Sequence, residues 1–331
     1  ELFDIVGPLA ALRSDHEALA PLIRVKWKFV KRQALLTYPD AAALGAFDPD
    51  GALATIEQWL QQPFEELAFA RAILQWQNDG QNERIDLACR YSAWAVLTEA
   101  GQLRHGTHVL FRHPGKIDPM ALLLHAQEQT VAQVRVTTID TRHLRRREGF
   151  ALTDPGTDLA GALDQANYCI WCHQQGKDSC SKGLREKPDA QGRAPFKRSP
   201  FGVKLAGCPL EERISEFHLV KSQGHAVGAL ALIAIDNPMV AATGHRICND
   251  CMKACIYQKQ TPVDIPQAET RTLKNVLELP WGFEIYSLLT RWNPLNLRRP
   301  LPAPDSGRKV LVVGMGPAGF TLAHHLMNDG H

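Results

Sequence analysis

Three cysteines, Cys248, Cys251 and Cys255, fall within eight residues, too tightly spaced for all three to face one partner from a regular helix. Upstream stand Cys169 and Cys172 in YCIWC, Cys180 in DSC and Cys208 in GCPLEER, so seven of the eight cysteines share a window of under ninety residues. Thiolates gathered this way are soft metal ligands. Structural zinc prefers two C-x2-C pairs, which Cys169/Cys172 and Cys248/Cys251 would supply. That reading leaves Cys180, Cys208 and Cys255 without a role and ignores the Cys-Pro step at Cys208. Iron–sulfur sites take four ligands, often three close in sequence and one distant, and a cysteine of one group commonly serves the other group's cluster. Seven cysteines and one oxygen or nitrogen ligand just beyond Cys255 make two such sites.

The second chemical signal is RKVLVVGMGPAGFTLAHHLMNDGH, Arg308 to His331. Lys309 to Val313 reads as a short apolar strand, Gly314, Gly316 and Gly319 as G-x-G-x-x-G, and Phe320 to Met327 as a helix that Gly330 can end. Gly314 permits the tight turn, Gly316 the approach of backbone to a pyrophosphate, and Gly319 close helix–strand packing. The helix dipole and free amides favour the anion. Between a strand and a helix this motif is strong. The acidic residue that would bind a ribose hydroxyl lies about 20 positions on, beyond His331, so these residues do not separate FAD from NAD(P). His324 and His325 are expected to face solvent or neighbours.

The elements that must hold these groups read as mainly helical. Residues 1–150 carry apolar spacings of three and four through Ile56, Trp59 and Leu60, through Leu67, Ala70, Ile73 and Leu74, and through Ile85, Leu87, Ala88, Tyr91 and Trp94. Turn chemistry at TYPD, DPDG, NDGQN and EAGQ separates them. HVLF and VAQVRV are strands or short helix ends. Cys89 reads as a packed core thiol, and His105, His108 and His113 as structural or surface residues. RHLRRR, Arg142 to Arg147, reads as a solvated face, with docking of an acidic partner the alternative. In residues 151–291, ALTDPGTD caps a helix running to Tyr168. Leu210, Ile214, Phe217 and Val220 form one helix face; Leu273, Val276 and Leu277 form another. Residues 292–307 make a Pro-rich connector, and residues 308–331 the first βα unit of a Rossmann-type domain.

With 331 residues, a formal charge of +2 and eight cysteines, the composition is that of an ordinary globular protein. The small charge argues against a dedicated nucleic-acid or membrane-surface protein. No apolar run reaches the roughly 18 residues of a spanning helix; Ala226 to Ile235 reads as a buried helix. Without a secretory signal, the cysteines read as metal ligands in a reducing, cytoplasmic setting rather than a disulfide frame. Glu1 falls inside a helical pattern and His331 one unit into a fold needing about a hundred residues more, so the chain is expected to be part of a longer polypeptide.

CPLEERISEFHLV, NPMVAATGHRIC, the spaced cysteine trio and PVDIPQAE together resemble the amino-terminal iron–sulfur domain of the glutamate synthase small subunit, which also opens dihydropyrimidine dehydrogenase. The resemblance covers about residues 165–331. It implies two [4Fe–4S] clusters with interleaved ligands: Cys169, Cys172, Cys180 and Cys255 for one, and Cys208, Cys248, Cys251 and a carboxylate or amide for the other. Glu269 matches the last position, with Gln267 the fallback; the alternative for Glu269 is a helix-start pairing with Arg271 or the dipole. The resemblance also assigns FAD to the turn of Gly314, Gly316, Pro317, Ala318 and Gly319, and NAD(P)H to a second domain outside this chain. The chain departs from the family in a longer gap before Cys180 and in 27 residues between Cys180 and Cys208, read as an exposed loop. The implied activity is NAD(P)H oxidation through flavin and clusters toward a redox partner subunit or domain. No residue here is a candidate acid or base. The rival readings are an electron-relay or scaffold subunit and a zinc-stabilised interaction module.

Overall fold

The computed structural model describes residues 5–120, 126–139, 147–151 and 154–331, without the side chains of residues 245 and 246. Of the basic run Arg142 to Arg147, only Arg147 is among them. The protein is mainly helical, as expected from the periodicities.

Helices α1 (Val6–Ala18), α2 (Ala20–Val25), a π-helical continuation over Lys26–Ala34 and α3 (Leu35–Thr37) lead into α4 (Pro49–Leu60), α5 (Glu66–Asn78), α6 (Asn82–Leu97) and α7 (Glu99–His105). Their starts follow capping chemistry. The Asp48 carboxylate accepts from the Asp50 and Gly51 amides ahead of Pro49, Glu65 from Leu67 and Ala68, and Thr98 from Gly101. Leu22, Phe29, Ile56, Phe69, Ile73, Tyr91, Leu110 and Phe111 fill the core beneath them. Val109–Phe111 of HVLF belong to this core as a turn, not a strand. VAQVRV straddles a hairpin: β1 (Ala126–Val131) pairs antiparallel with β2 (Val134–Ile139) around Ala132 and Gln133, whose positive φ values of 48° and 65° suit a tight turn.

The second half contains α8 (Leu159–Tyr168), a 3-10 turn at Cys172–Gln175, α9 (Ser179–Lys182), α10 (Ile214–Ser222), α11 (Ala226–Asp236), α12 (Val240–Ile247), α13 (Asp250–Lys253), α14 (Ile265–Leu277) and α15 (Gly282–Arg291). α8, α10, α11 and α14 pack on one another around Phe217, Leu230, Ile233, Ala268 and Val276. Leu210 lies in the turn before α10, half in solvent, and so does not share the helix's buried face. Residues 183–207 are largely exposed and fold back on themselves, with Leu184 N donating to Leu205 O at 2.9 Å and Lys197 N to Leu184 O at 2.8 Å.

The two halves dock through a buried ion pair, Lys26 Nζ to Asp164 Oδ2 at 2.7 Å. Beside it the Trp27 ring stacks on Tyr168 at 5.4 Å, and Tyr168 on Tyr257 at 4.4 Å. The last helix, α16 (Pro317–Asn328), lies against α15 and the connector. Asn328 Nδ2 donates to Thr290 O at 3.0 Å, and His324 is buried there rather than turned to solvent. The expected strand at Lys309 to Val313 is not formed. Leu311 and Val313 are 87% and 89% exposed, because nothing within these residues pairs with the segment, and an isolated extended run satisfies neither ladder nor core. Among the described residues no helix is long and apolar enough to cross a membrane.

Candidate metal centre

The first cysteine group is built by interrupted backbone. Cys169 ends α8, and Trp171 turns through φ +51° so that its amide points at Cys169 Sγ, 3.4 Å away. The Trp171 indole holds that turn by donating to Ala166 O at 3.1 Å. Cys172 opens the 3-10 turn, Cys180 sits on α9, and Cys255 follows α13. These four thiols, brought together from across the lobe, line one small cavity whose remaining wall is Ile170, Ile214, His218, Ile256, Tyr257, Val263 and Ile265. The Cys180 and Cys255 thiols are hydrogen-bonded, which lowers Cys255 to about 7 and raises Cys180. Burial pushes Cys169 up to about 12. A cation entering this apolar pocket would replace the protons of the buried thiols.

The second group gathers Cys208, Cys248 and Cys251 with two buried carboxylates. Burial raises Cys251 most, followed by the fields of Glu212, Glu269, Cys208 and Cys248, so all five lie within electrostatic reach. Burial likewise lifts Cys208 to about 11 and Glu269 to about 7, the latter eased by Asn237 Nδ2, which donates to Glu269 Oε1 at 2.8 Å. The alternative helix-start pairing is not made, since Arg271 bonds Glu278 at 2.6 Å. Gln267 lies outside the group. Two residues from Glu269 on a 3.6-residue helix, it points the other way and accepts from Thr157 N at 3.1 Å.

Glu212 was not singled out from the sequence. In CPLEER it looks like an ordinary acid before a helix, and only its tertiary surroundings distinguish it. It is 4% exposed, its Oε1 has no hydrogen-bond partner, and burial followed by the field of Glu269 raises it well above the usual carboxylate range.

Two devices interlock the groups. Cys251 and Cys255 lie one helical turn apart yet serve different sets. The Cys208 amide donates to Cys180 O at 2.8 Å, and Gly207, at φ +83°, lies so close that an added Cβ would stand 2.6 Å from Gly183 N. Gly244 breaks α12 with φ −13° and ψ −144°, where a Cβ would meet Thr270 Oγ1 at 2.6 Å; the break leads the chain to Cys248.

All eight cysteines are free thiols. Among the described residues, no three His, Cys, Asp or Glu side chains close into the shell of a single metal ion. Zinc would draw four ligands to within about 2.3 Å of one point. The first group offers a soft all-sulfur donor set and the second a buried carboxylate oxygen without a hydrogen-bond partner.

At the far end, Gly314 takes φ +110°, and an added Cβ on Gly319 would stand 2.3 Å from Gly314 O, so the turn folds tightly onto the start of α16. Around Gly316 a Cβ would meet nothing, which leaves its backbone open to an approaching group.

Neither a family model nor a solved structure matches the chain. It is 62% identical over 93 residues to an uncharacterised protein of Rickettsia prowazekii, covering 28% of this chain and 13% of that protein. A second uncharacterised protein of that organism is 28% identical over 232 residues, 67% of this chain and 75% of the relative. The glutamate synthase [NADPH] small chain of Mycobacterium tuberculosis is 30% identical over 126 residues, 38% of this chain and 23% of that protein. Glutamate synthase [NADH] of Schizosaccharomyces pombe is 28% identical over 135 residues, 40% of this chain and 6% of that protein. The chain thus spans about an eighth of the first of these relatives. The partial, distant likeness to glutamate synthases is a coarse indication of an oxidoreductase-related protein.

Proposed function

We propose that this chain is the cluster-bearing portion of an FAD- and NAD(P)H-dependent iron–sulfur oxidoreductase. The observation that carries the reading is the convergence of seven free cysteines into two interlocked groups, one all-sulfur and one completed by buried carboxylates. Cys169, Cys172, Cys180 and Cys255 would hold one [4Fe–4S] cluster; Cys208, Cys248, Cys251 and a Glu269 or Glu212 carboxylate would hold the other. Such clusters, when bound, pass single electrons between a flavin and a remote acceptor. The chain's own residues supply thiolates, exclude water with Ile214, Val263 and Ile265, and keep the two sites adjacent through the Cys180–Cys208 backbone bond. Gly314, Gly316, Pro317, Ala318 and Gly319 would receive the FAD pyrophosphate. NAD(P)H and the acceptor, a redox partner subunit or domain, would bind outside these residues.

The test is anaerobic reconstitution followed by electron paramagnetic resonance of the reduced protein. Two interacting signals are expected, Cys255→Ala deleting one and Cys251→Ala the other. Loss of both or neither in each variant would contradict the pairing. Glu212→Gln and Glu269→Gln decide between the carboxylates, since only replacement of the ligand should change the second cluster's spectrum.

A further inference from the structure

His218 lies on α10 with no exposed surface, and neither ring nitrogen has a hydrogen-bond partner. Its side chain lines the cavity of Cys169, Cys172, Cys180 and Cys255, whose other walls are Ile170, Ile214, Ile256, Val263 and Ile265 with the Tyr257 ring. A buried imidazole keeps an unpaired N–H only at a cost, and polar atoms so placed are almost always satisfied by something. An imidazole carries at least one N–H donor in either protonation state. Isoleucine and valine offer no acceptor. Among the lining side chains the acceptors are the four cysteine sulfurs and the Tyr257 hydroxyl, which already donates to Tyr168 O at 3.2 Å.

We propose that His218 donates an N–H hydrogen bond to a sulfur of the cluster held by Cys169, Cys172, Cys180 and Cys255, raising that cluster's reduction potential. This rests on the cluster reading above. The reduced cluster carries one more negative charge than the oxidised one, so a fixed N–H dipole in a dry pocket stabilises the reduced form more. The second group differs in its lining, where the buried carboxyl groups of Glu212 and Glu269 lie near Cys251.

The experiment is a potentiometric titration of the reconstituted 331-residue protein, its His218→Leu variant and its His218→Gln variant, with iron and sulfide measured on each. A midpoint shift to more negative potential is expected for one cluster in His218→Leu, a smaller shift in His218→Gln, which keeps a donor, and none for the other cluster. Wild-type protein labelled with 15N-histidine should show a weak nitrogen coupling to one reduced cluster, lost in His218→Gln, so the test survives poor assembly of a variant. Unmoved midpoints in a fully loaded His218→Leu, no such coupling in the wild type, or the strong coupling of a directly bound nitrogen would each overturn the proposal. Failure of the wild type to assemble any cluster would instead sink the cluster reading itself.

Discussion

Lys26 and Asp164 are 1% and 2% exposed at their side chains, yet carry opposite charges 2.7 Å apart. Burial lowers Lys26 and raises Asp164, and their mutual attraction opposes both shifts. Such a pair is costly to break from one side and cheap to replace from both. Lys26→Met should destabilise the protein by about 3–5 kcal/mol, whereas Lys26→Met with Asp164→Leu should recover most of that. Urea unfolding of the three proteins checks it; equal losses in both variants would contradict it. A pH effect follows at His105, which bonds the Tyr91 hydroxyl at 2.7 Å and His108 at 2.9 Å. Burial, then His108 and Arg104, lowers it to about 4. Between pH 4 and the ordinary value near 6.5 the unfolded chain binds a proton that the folded one does not, so stability should rise with pH across that window. The expected contribution of His105 is on the order of 2 kcal/mol, and His105→Gln should reduce the pH dependence by that share, the rest coming from His113 and His218, which burial also lowers. At this scale the clustered cysteines were legible as a spaced pattern, and Glu269 through the family resemblance alone. Glu212 and His218 were not, because an acid just before a helix or an imidazole on it looks the same in sequence whether it faces water or a thiol.

Gly207 holds the short distance between the turn bearing Cys208 and the helix bearing Cys180. Its φ of +83° and the 2.6 Å approach of a would-be Cβ to Gly183 N exclude any side chain without backbone movement. Gly207→Ala should therefore reduce iron retained per chain several-fold while leaving far-ultraviolet circular dichroism close to wild type. Full iron retention would show that the clasp does not position the cysteines. The helices themselves were readable from spacing and caps. Ile56, Ala70, Ile73 and Tyr91 reach full burial, as their three- and four-residue periodicity demanded. Where period gave way to turns or pairing the sequence was less explicit. VAQVRV, open between strand and helix end, forms strands that turn at Ala132 and Gln133, and Lys309 to Val313 has strand composition with no strand beside it.

Across the whole molecule the two halves have separate cores. The core formed by Phe29, Phe69, Ile73 and Tyr91 contains none of the seven clustered cysteines, while Cys180, Cys251 and Cys255 belong to the other core. Removing metal should accordingly unlock one half and spare the other. Hydrogen exchange after chelation should show lost protection in α9, α13 and the Cys172–Gln175 turn, with α5 and α6 unchanged. Uniform loss would mean that the Trp27–Tyr168–Tyr257 stack and the Lys26–Asp164 pair couple the halves into one unit. The role of the first half was opaque in sequence for a physical reason. Its buried groups serve its own core, and its docking depends on Lys26, Trp27 and His16, residues that individually resemble surface positions. His16 Nε2 meets Lys221 O at 2.7 Å across 205 positions of chain, a contact that no local pattern announces.

The most direct measurement is iron and acid-labile sulfide per chain in anaerobically purified protein, with Mössbauer spectra of the 57Fe-enriched material. Two [4Fe–4S] clusters require about eight of each and spectra of delocalised iron pairs. Colourless protein with stoichiometric zinc and no sulfide would contradict the account.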